Sequence, residues 1–321
     1  MIQYILFLLG IFLLVKGANY LINGASSLAA KMKIPTLIIG LTVVSLGTTS
    51  PELFVNIIAA IKGTTEIGFG NIIGANMTTI LLVLGVTALI YPIKVERSAI
   101  WKEIPVALLA VIVLFIVSNY LLIDKININS ITRVSGLLML CFFAIFIYYS
   151  IEVFKQNKKK LEKRKIGVKQ NSNLAIAAMI IGGIIGLFIG ARLTVDGAVF
   201  TAQQLGLSQF LISATIISIG TSLPELVTGI TAARKHETGI VVGNVAGATI
   251  FNIFWILGIT SLITPITIPS FINTDIIMMG IATILLLVLI FIGRKMEIER
   301  WQGALLILLY IAYIIFIIIR G

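Results

Sequence analysis

The chain has 321 residues, of which 59% are hydrophobic and only 12% are charged. Soluble domains normally contain about 25% charged residues, so the composition excludes a soluble globular protein and predicts an integral membrane protein. The net charge of +11 does not indicate a nucleic-acid partner, because the basic residues follow the alternation expected for membrane loops.

Apolar runs of about 20 residues, long enough to cross a bilayer as helices, recur along the chain. We therefore predict an all-α integral membrane protein with ten transmembrane helices. The predicted spans are 2–30, 34–61, 67–91, 104–123, 131–154, 174–203, 207–233, 239–264, 272–293 and 301–319. The first run lacks a basic leader and a cleavage site, so we expect it to be a membrane helix rather than a signal peptide.

Lys and Arg alternate between the two predicted sides of the membrane, and the loop after the fifth span is the most basic segment. Placing that loop in the cytoplasm puts most of the 24 basic residues on one side. These are Lys31, Lys33, Lys94, Arg97, Lys102, Lys155, Lys158, Lys159, Lys160, Lys163, Arg164, Lys165, Lys169, Arg234, Lys235, Arg294, Lys295 and Arg300. The positive-inside rule then predicts a multi-pass protein of the cell membrane with both termini outside.

One unit occurs twice, at an offset of 173 residues. Gly-Thr-Thr-Ser-Pro-Glu ends at Glu52 and Gly-Thr-Ser-Leu-Pro-Glu ends at Glu225, and each is followed by Gly-Asn-x-x-Gly. We predict a first repeat at 1–154 with its motif at 40–85, a basic linker at 155–173 and a second repeat at 174–321 with its motif at 213–258. We expect the linker to set the topology, and the alternative is a regulatory or lipid-binding element that is attracted to anionic lipid heads. Five spans is an odd number, so the repeats have inverted topology, as in many secondary transporters with binding sites on interrupted helices.

Both motif glutamates are predicted to lie near the membrane midplane. Glu52 precedes Lys62 and Glu225 precedes Arg234 by helical distances of about 14 to 15 Å, half the thickness of the hydrocarbon core. An acidic side chain there costs roughly 2.5 to 3.5 kcal/mol. No basic residue is an obvious partner, since Arg192 is spaced to pair with Asp196 on its own helix. We infer that the partner is a transported cation.

Hydroxyl, amide and carbonyl oxygens surround both glutamates in the sequence. Gly and Pro in each motif interrupt helical hydrogen bonding and free backbone carbonyls. Such oxygens suit hard cations such as Ca²⁺ and Na⁺, whereas the lack of nearby His or Cys disfavours zinc, copper and iron. Asn71 and Asn244 could either ligate an ion or brace the helix breaks.

These doubled motifs resemble the sodium/calcium exchanger branch of the calcium/cation antiporter superfamily. The resemblance implies exchange of Na⁺ for Ca²⁺ by alternating access, with the helices that begin each repeat sliding across the core. Glu52 and Glu225 would be the central acidic ligands. The ligand set that it implies is Glu52, Glu225, Thr48, Thr49, Thr221, Ser222, Ser45, Ser218, Thr79 and Asn252.

Three positions depart from the family pattern. The family commonly has Ser where this chain has Ala75 and Ala248. Four residues further on it often has Asn in one repeat and Asn or Asp in the other, where this chain has Thr79 and Asn252. The site therefore has fewer oxygens and lacks a third acid from these positions. Two glutamates neutralise one divalent ion or two monovalent ions, so we hypothesise exchange that is closer to electroneutral.

The sequence is also compatible with other functions. A buried glutamate can carry a proton, so H⁺-coupled exchange, or exchange of Mn²⁺ or Mg²⁺, is the main alternative. A cation channel is a remote one. We expect no enzymatic activity, because no metal-binding His pair, Ser-His set or nucleotide motif accompanies the acids. We expect Ca²⁺ and Na⁺ as substrates, membrane lipid as surroundings, no cofactor and no obligatory protein partner.

Overall fold

The computed structural model describes residues 2–119, 130–161, 171–204, 218–268, 272–294 and 296–320, and these are almost entirely helical. The helices of the first half are α1 (Ile2–Met32), α2 (Thr36–Ile39), π1 (Gly40–Val44), α3 (Ser45–Thr48), α4 (Ser50–Lys62), α5 (Thr65–Met77), π2 (Thr78–Val83), α6 (Leu84–Ile90), π3 (Ala99–Glu103), α7 (Ile104–Val117) and α8 (Arg133–Leu161). Those of the second half are α9 (Asn173–Gln204), α10 (Ser218–Thr221), α11 (Leu223–Arg234), α12 (Thr238–Ile250), π4 (Phe251–Leu257), α13 (Gly258–Ile263), α14 (Ile272–Phe291) and α15 (Arg300–Arg320). The π segments are stretches of wider helix that continue the neighbouring α-helices. The prediction of an all-helical membrane protein is confirmed.

Eight helices in the described residues are long and apolar enough to cross a membrane, and the bent pair 36–62 raises the number to as many as nine. The predicted seventh span is described only from Ser218 onward, so the count of ten stays a prediction. Two predicted edges differ from the structure. The fourth span ends at Val117, and α8 continues to Leu161, so the predicted linker begins as helix. Residues 162–170 of that linker lie outside the described residues.

Two short strand pairs connect the first half of the chain to the second. β1 (Ile93–Lys94) pairs with β4 (Glu297–Ile298), and β2 (Ser130–Ile131) pairs with β3 (Ile266–Thr267), both antiparallel. Each pair joins a strand that follows a central span in one half to a strand that precedes the last helix of the other half. The halves are therefore hydrogen-bonded to each other at both ends of the molecule.

Two spans form the centre of the protein. In the apolar part of the span 238–263, 94% of the residues are buried, and in 65–90 the share is 78%, against 28% in α8, α9 and α15. The central spans are rich in Gly, Ala, Thr and Asn, which allow backbones to approach closely and bond across helices. The peripheral helices instead expose Ile and Leu outward, as lipid-facing helices do.

The helices α1 and α9 pack against each other along their length through glycines. A Cβ at Gly17 would meet the backbone nitrogen of Leu187 at 2.7 Å, and a Cβ at Gly190 would meet that of Leu14 at 2.6 Å. Gly17 and Gly190 are equivalent positions in the two halves. The pair is thus held by backbone-to-backbone contact that larger side chains would prevent.

Gly243 and Gly70 occupy equivalent positions but have different surroundings, which gives a matched prediction. A Cβ at Gly243 would collide with the carbonyl of Leu37 and approach the nitrogen of Leu41 at 2.7 Å, whereas one at Gly70 meets nothing within 4 Å. We expect Gly243→Ala to destabilise the purified protein by about 1 to 3 kcal/mol through overpacking. Gly70→Ala should leave thermal unfolding unchanged or slightly improved, because alanine favours helix. Equal losses in both variants would contradict the close contact between α12 and α2.

Candidate cation-binding site

The same backbone break occurs in both halves just before the motif glutamate. Thr49 separates α3 from α4 with φ −81° and ψ 3°, and Ser222 separates α10 from α11 with φ −89° and ψ 7°. These angles lie in the sparsely populated bridge region, where many functional residues are found. Pro51 and Pro224 have no N–H, so the carbonyls of Gly47 and Gly220 lose the donor that a continuous helix would place four residues later. The release of carbonyl oxygens as ligands at the two breaks stays a prediction.

Glu52 and Glu225 lie in the first turn of the helix that follows each break, and each is only 1% exposed. They are close enough for their negative charges to repel each other. None of the four carboxylate oxygens has a hydrogen-bond donor with proper geometry among the described residues, and no ion pair there involves either glutamate. The positive ends of α4 and α11 offset part of the charge, and the rest is left for a ligand.

Reciprocal bonds between the two halves brace the breaks. The Thr48 hydroxyl donates to Asn244 Oδ1 at 3.1 Å, and the Thr221 hydroxyl donates to Asn71 Oδ1 at 3.2 Å. Thr48 also lies close to the carboxylate of Glu225. The amide nitrogens of both asparagines have no acceptor among the described side chains and backbone. Of the two roles considered for Asn71 and Asn244, this geometry supports bracing.

The remaining predicted ligands have different surroundings. The Thr49 hydroxyl donates to the Ser45 carbonyl at 2.8 Å, and the Ser45 hydroxyl donates to the Gly40 carbonyl at 2.8 Å, so both are engaged with their own helix. The Ser222 hydroxyl is buried without a partner in the described part of the chain. Thr79 is buried in π2. Ser218 begins α10, and its side chain lies outside what the structure describes.

Asn76 and Thr228 were not among the predicted ligands, yet each lies next to one of them. Asn76 Oδ1 accepts a hydrogen bond from Nδ2 of the predicted ligand Asn252 at 3.0 Å, which leaves Asn252 Oδ1 buried and unpartnered among the described residues. Thr228, three residues after Glu225, also has a buried, unpartnered hydroxyl there. Its equivalent in the first half is Val55, so comparing the repeats concealed it.

A cleft of about 270 Å³ opens between α4 and α9 and reaches the second break at Thr221. Phe54 and Phe188 line it, with their ring centroids 5.7 Å apart. Arg192 and Asp196 lie at its mouth as an exposed ion pair of 3.9 Å, which confirms the predicted helical pairing. The cleft borders both breaks, at Pro51 and at Thr221, although neither motif glutamate lines it.

Comparisons with known proteins agree with this arrangement. The family model of the sodium/calcium exchanger protein matches residues 2–152 and 175–319. The chain is 33% identical to the putative antiporter CaxA of Alkalimonas amylolytica and 30% identical to the sodium/calcium exchanger MaX1 of Methanosarcina acetivorans, in both cases over 98% of each chain. A structure of the sodium-calcium exchanger NCX_Mj soaked with Na⁺ and Ca²⁺ superimposes with a TM-score of 0.81, at 31% identity and 98% coverage of each chain.

The family match covers nearly the whole chain, and the relatives match from end to end. These are membrane transporters rather than enzymes, in agreement with the buried acids and their surrounding oxygens. The chain therefore belongs to the sodium/calcium exchanger protein family.

Proposed function

We propose that this protein is a secondary antiporter that exchanges Na⁺ for Ca²⁺ across a membrane by alternating access at a site near the midplane. The observation that carries the proposal is the pair of buried carboxylates, Glu52 and Glu225, which make no ion pair and no hydrogen bond of proper geometry among the described residues. Two adjacent buried negative charges without a fixed cation are tolerable only when mobile positive charge occupies the site. One Ca²⁺ or two Na⁺ supply equal charge, so the two ions compete for one place.

The ligand shell that we propose contains only oxygen. The carboxylates of Glu52 and Glu225 contribute most of the charge. The hydroxyl of Ser222 and Oδ1 of Asn252 are buried without a partner among the described residues and are further ligands in this proposal. Ca²⁺ takes about 6 to 8 oxygen ligands at flexible geometry, and a mixed shell of this kind suits it. Ala75 and Ala248 are both buried and have no hydroxyl, so they lower the number of oxygens for Na⁺.

The test is Ca²⁺ uptake by purified protein reconstituted into vesicles. With Na⁺ inside and labelled Ca²⁺ outside, we expect rapid uptake that stops when the Na⁺ gradient is removed. Competition by Na⁺, H⁺, Mn²⁺ and Mg²⁺ then ranks the ions that share the site. Uptake that proceeds without any counter-ion gradient and gives unitary currents would show a channel instead.

Proton coupling is the second candidate, and the same carboxylates support it. A buried carboxylate without donors is stabilised by a proton as well as by a metal ion. Calcium-loaded vesicles with a pH gradient in place of the Na⁺ gradient separate the two cases. Ca²⁺ efflux under the pH gradient alone would assign H⁺ as the coupling ion, whereas efflux under the Na⁺ gradient alone would exclude it.

A further inference from the structure

The helices α4 and α11 occupy equivalent positions in the two halves but are packed differently. Phe54 and Ile58 of α4 are 53% and 50% exposed along the cleft. Their equivalents in α11 are Val227, which is half-buried, and Thr231, which is 8% exposed. The helix α11 packs closely against α1, while α4 stands away from α9 across the cleft. In the described residues a cleft thus separates α4 from α9 at the Lys62 end, whereas α11 packs against α1 at the Lys235 end. We call these the open end and the closed end.

These are opposite ends of the protein. Near Lys62, the Thr264 hydroxyl donates to the carbonyl of Ala60 at 3.0 Å, next to the β2–β3 pair. Near Lys235, the ring of His236 lies 4.3 Å from that of Tyr91, next to the β1–β4 pair. The buried span α5–π2–α6 runs from the first end to the second. Closure at one end thus accompanies opening at the other.

At the closed end a lysine connects α11 to α1 by hydrogen bonds. The Lys235 ammonium, directly after α11, donates to Asn23 Oδ1 at 2.8 Å and to the Asn19 carbonyl at 3.4 Å, and both acceptors are on α1. Burial lowers the pKa of Lys235, and the neighbouring Glu237 carboxylate opposes that shift. Hydrogen bonds in which one partner is charged are stronger than those between neutral groups. The contact joins α1, which packs on α9, to the core helix α11.

The residues equivalent to Lys235 and Asn23 lie at the open end, and they do not contact each other. Lys62 is the counterpart of Lys235, and Asp196 on α9 is the counterpart of Asn23. In the described residues Lys62 makes no ion pair, and Asp196 contacts only Arg192 of its own helix, with side chains that are 63% and 76% exposed. A closing movement that mirrors the closed end would bring Lys62 to Asp196.

We propose that the Lys235–Asn23 contact and a Lys62–Asp196 ion pair are alternating latches that hold the α1–α9 pair against the core at one end or the other. The proposal rests on the alternating access proposed above. The latches differ in kind, since one acceptor is a neutral amide and the other is a carboxylate. Lys235 and Lys62 are therefore positioning residues that set the balance between the two access states without touching the transported ion.

The experiment measures access directly, in purified protein, without transport. The single cysteine, Cys141, is exposed, so a Cys141→Ser background carries one reporter, either Phe54→Cys in the open cleft or Val227→Cys at the closed end. We expect Lys235→Met to slow maleimide labelling at 54 and to accelerate it at 227, each by about tenfold, from the loss of one charged hydrogen bond. Lys33→Met, which removes an exposed lysine just after α1, should change neither rate.

Two further variants are expected to change the labelling rates in the opposite direction, and they keep the test decisive if Lys235→Met folds poorly. Asn23→Asp strengthens the Lys235–Asn23 contact, and Lys62→Met prevents the Lys62–Asp196 ion pair. Both substitutions should therefore raise the labelling rate of the cysteine at position 54 and lower that of the cysteine at position 227. In a Lys62→Cys, Asp196→Cys protein, the disulfide should form faster when Lys235→Met is added. Labelling rates that are the same in all these variants would overturn the latches. Because labelling needs no ion gradient, that result would leave Na⁺/Ca²⁺ exchange itself to be judged by vesicle uptake.

Discussion

Glu52→Gln and Glu225→Gln should each reduce gradient-driven Ca²⁺ uptake to the level of protein-free vesicles. Glutamine preserves the size and one oxygen of the side chain but removes a full negative charge from a site with two carboxylates. A divalent ion would then leave one uncompensated positive charge in a low-dielectric interior, which costs several kcal/mol. Labelled Ca²⁺ uptake at equal amounts of reconstituted protein is the measurement.

The same variants should remain folded, which separates loss of binding from loss of structure. Without ions, both carboxylates are buried and repel each other, so neutralising one should maintain or raise the thermal stability of the ion-free protein. Stabilisation by added Ca²⁺ should disappear, because only a ligand that binds the folded state raises the melting temperature. Glu66→Gln is the matched control, since Glu66 lies in the first turn of α5 but is exposed. Uptake at wild-type level in Glu225→Gln would contradict the assignment of the site.

The second large effect concerns the membrane potential. We expect the wild-type protein to exchange ions at a rate and to an end point that depend little on an imposed potential, because two glutamates balance one Ca²⁺ against two Na⁺. Each uncompensated charge per cycle would instead contribute about 2.3 kcal/mol per 100 mV. Vesicles clamped with potassium and valinomycin give the potential, and the final Ca²⁺ ratio reports the charge that moves.

Asn252→Asp should convert the protein to electrogenic exchange. It places a third carboxylate beside Asn76, whose Nδ2 has no acceptor among the described residues and can turn to donate to the new acid. The added charge favours one more Na⁺ per cycle, so the final Ca²⁺ ratio should become strongly dependent on potential. Asn252→Ser removes the amide without adding charge and serves as the control. A wild-type ratio that already varies steeply with potential would refute the electroneutral hypothesis.

The sequence predicts much of the candidate site, because the motifs that form it are local. Two glutamates in matched Gly–Thr–Pro motifs indicate helix breaks, and the breaks are found at Thr49 and Ser222. The sequence does not decide whether Asn71 and Asn244 ligate an ion or brace the helix breaks. That choice depends on which hydroxyl of the other half reaches each amide. Thr228 was missed because no residue of similar chemistry stands at its equivalent position.

Sequence alone established a membrane protein of apolar helices, a unit that occurs twice, and a pair of acids at equivalent positions, since composition, hydrophobic run length and spacing are properties of the chain itself. The tertiary structure decided which threonine bonds to which asparagine, that the carboxylates have no well-oriented hydrogen-bond donor among the described residues, and at which end of the molecule the cleft lies. The two halves have nearly the same motifs, so their sequences do not distinguish the open end from the closed one. That difference lies in how α1 and α9 pack against the core, since the Lys235 ammonium donates to Asn23 Oδ1 at one end while a cleft separates α4 from α9 at the other.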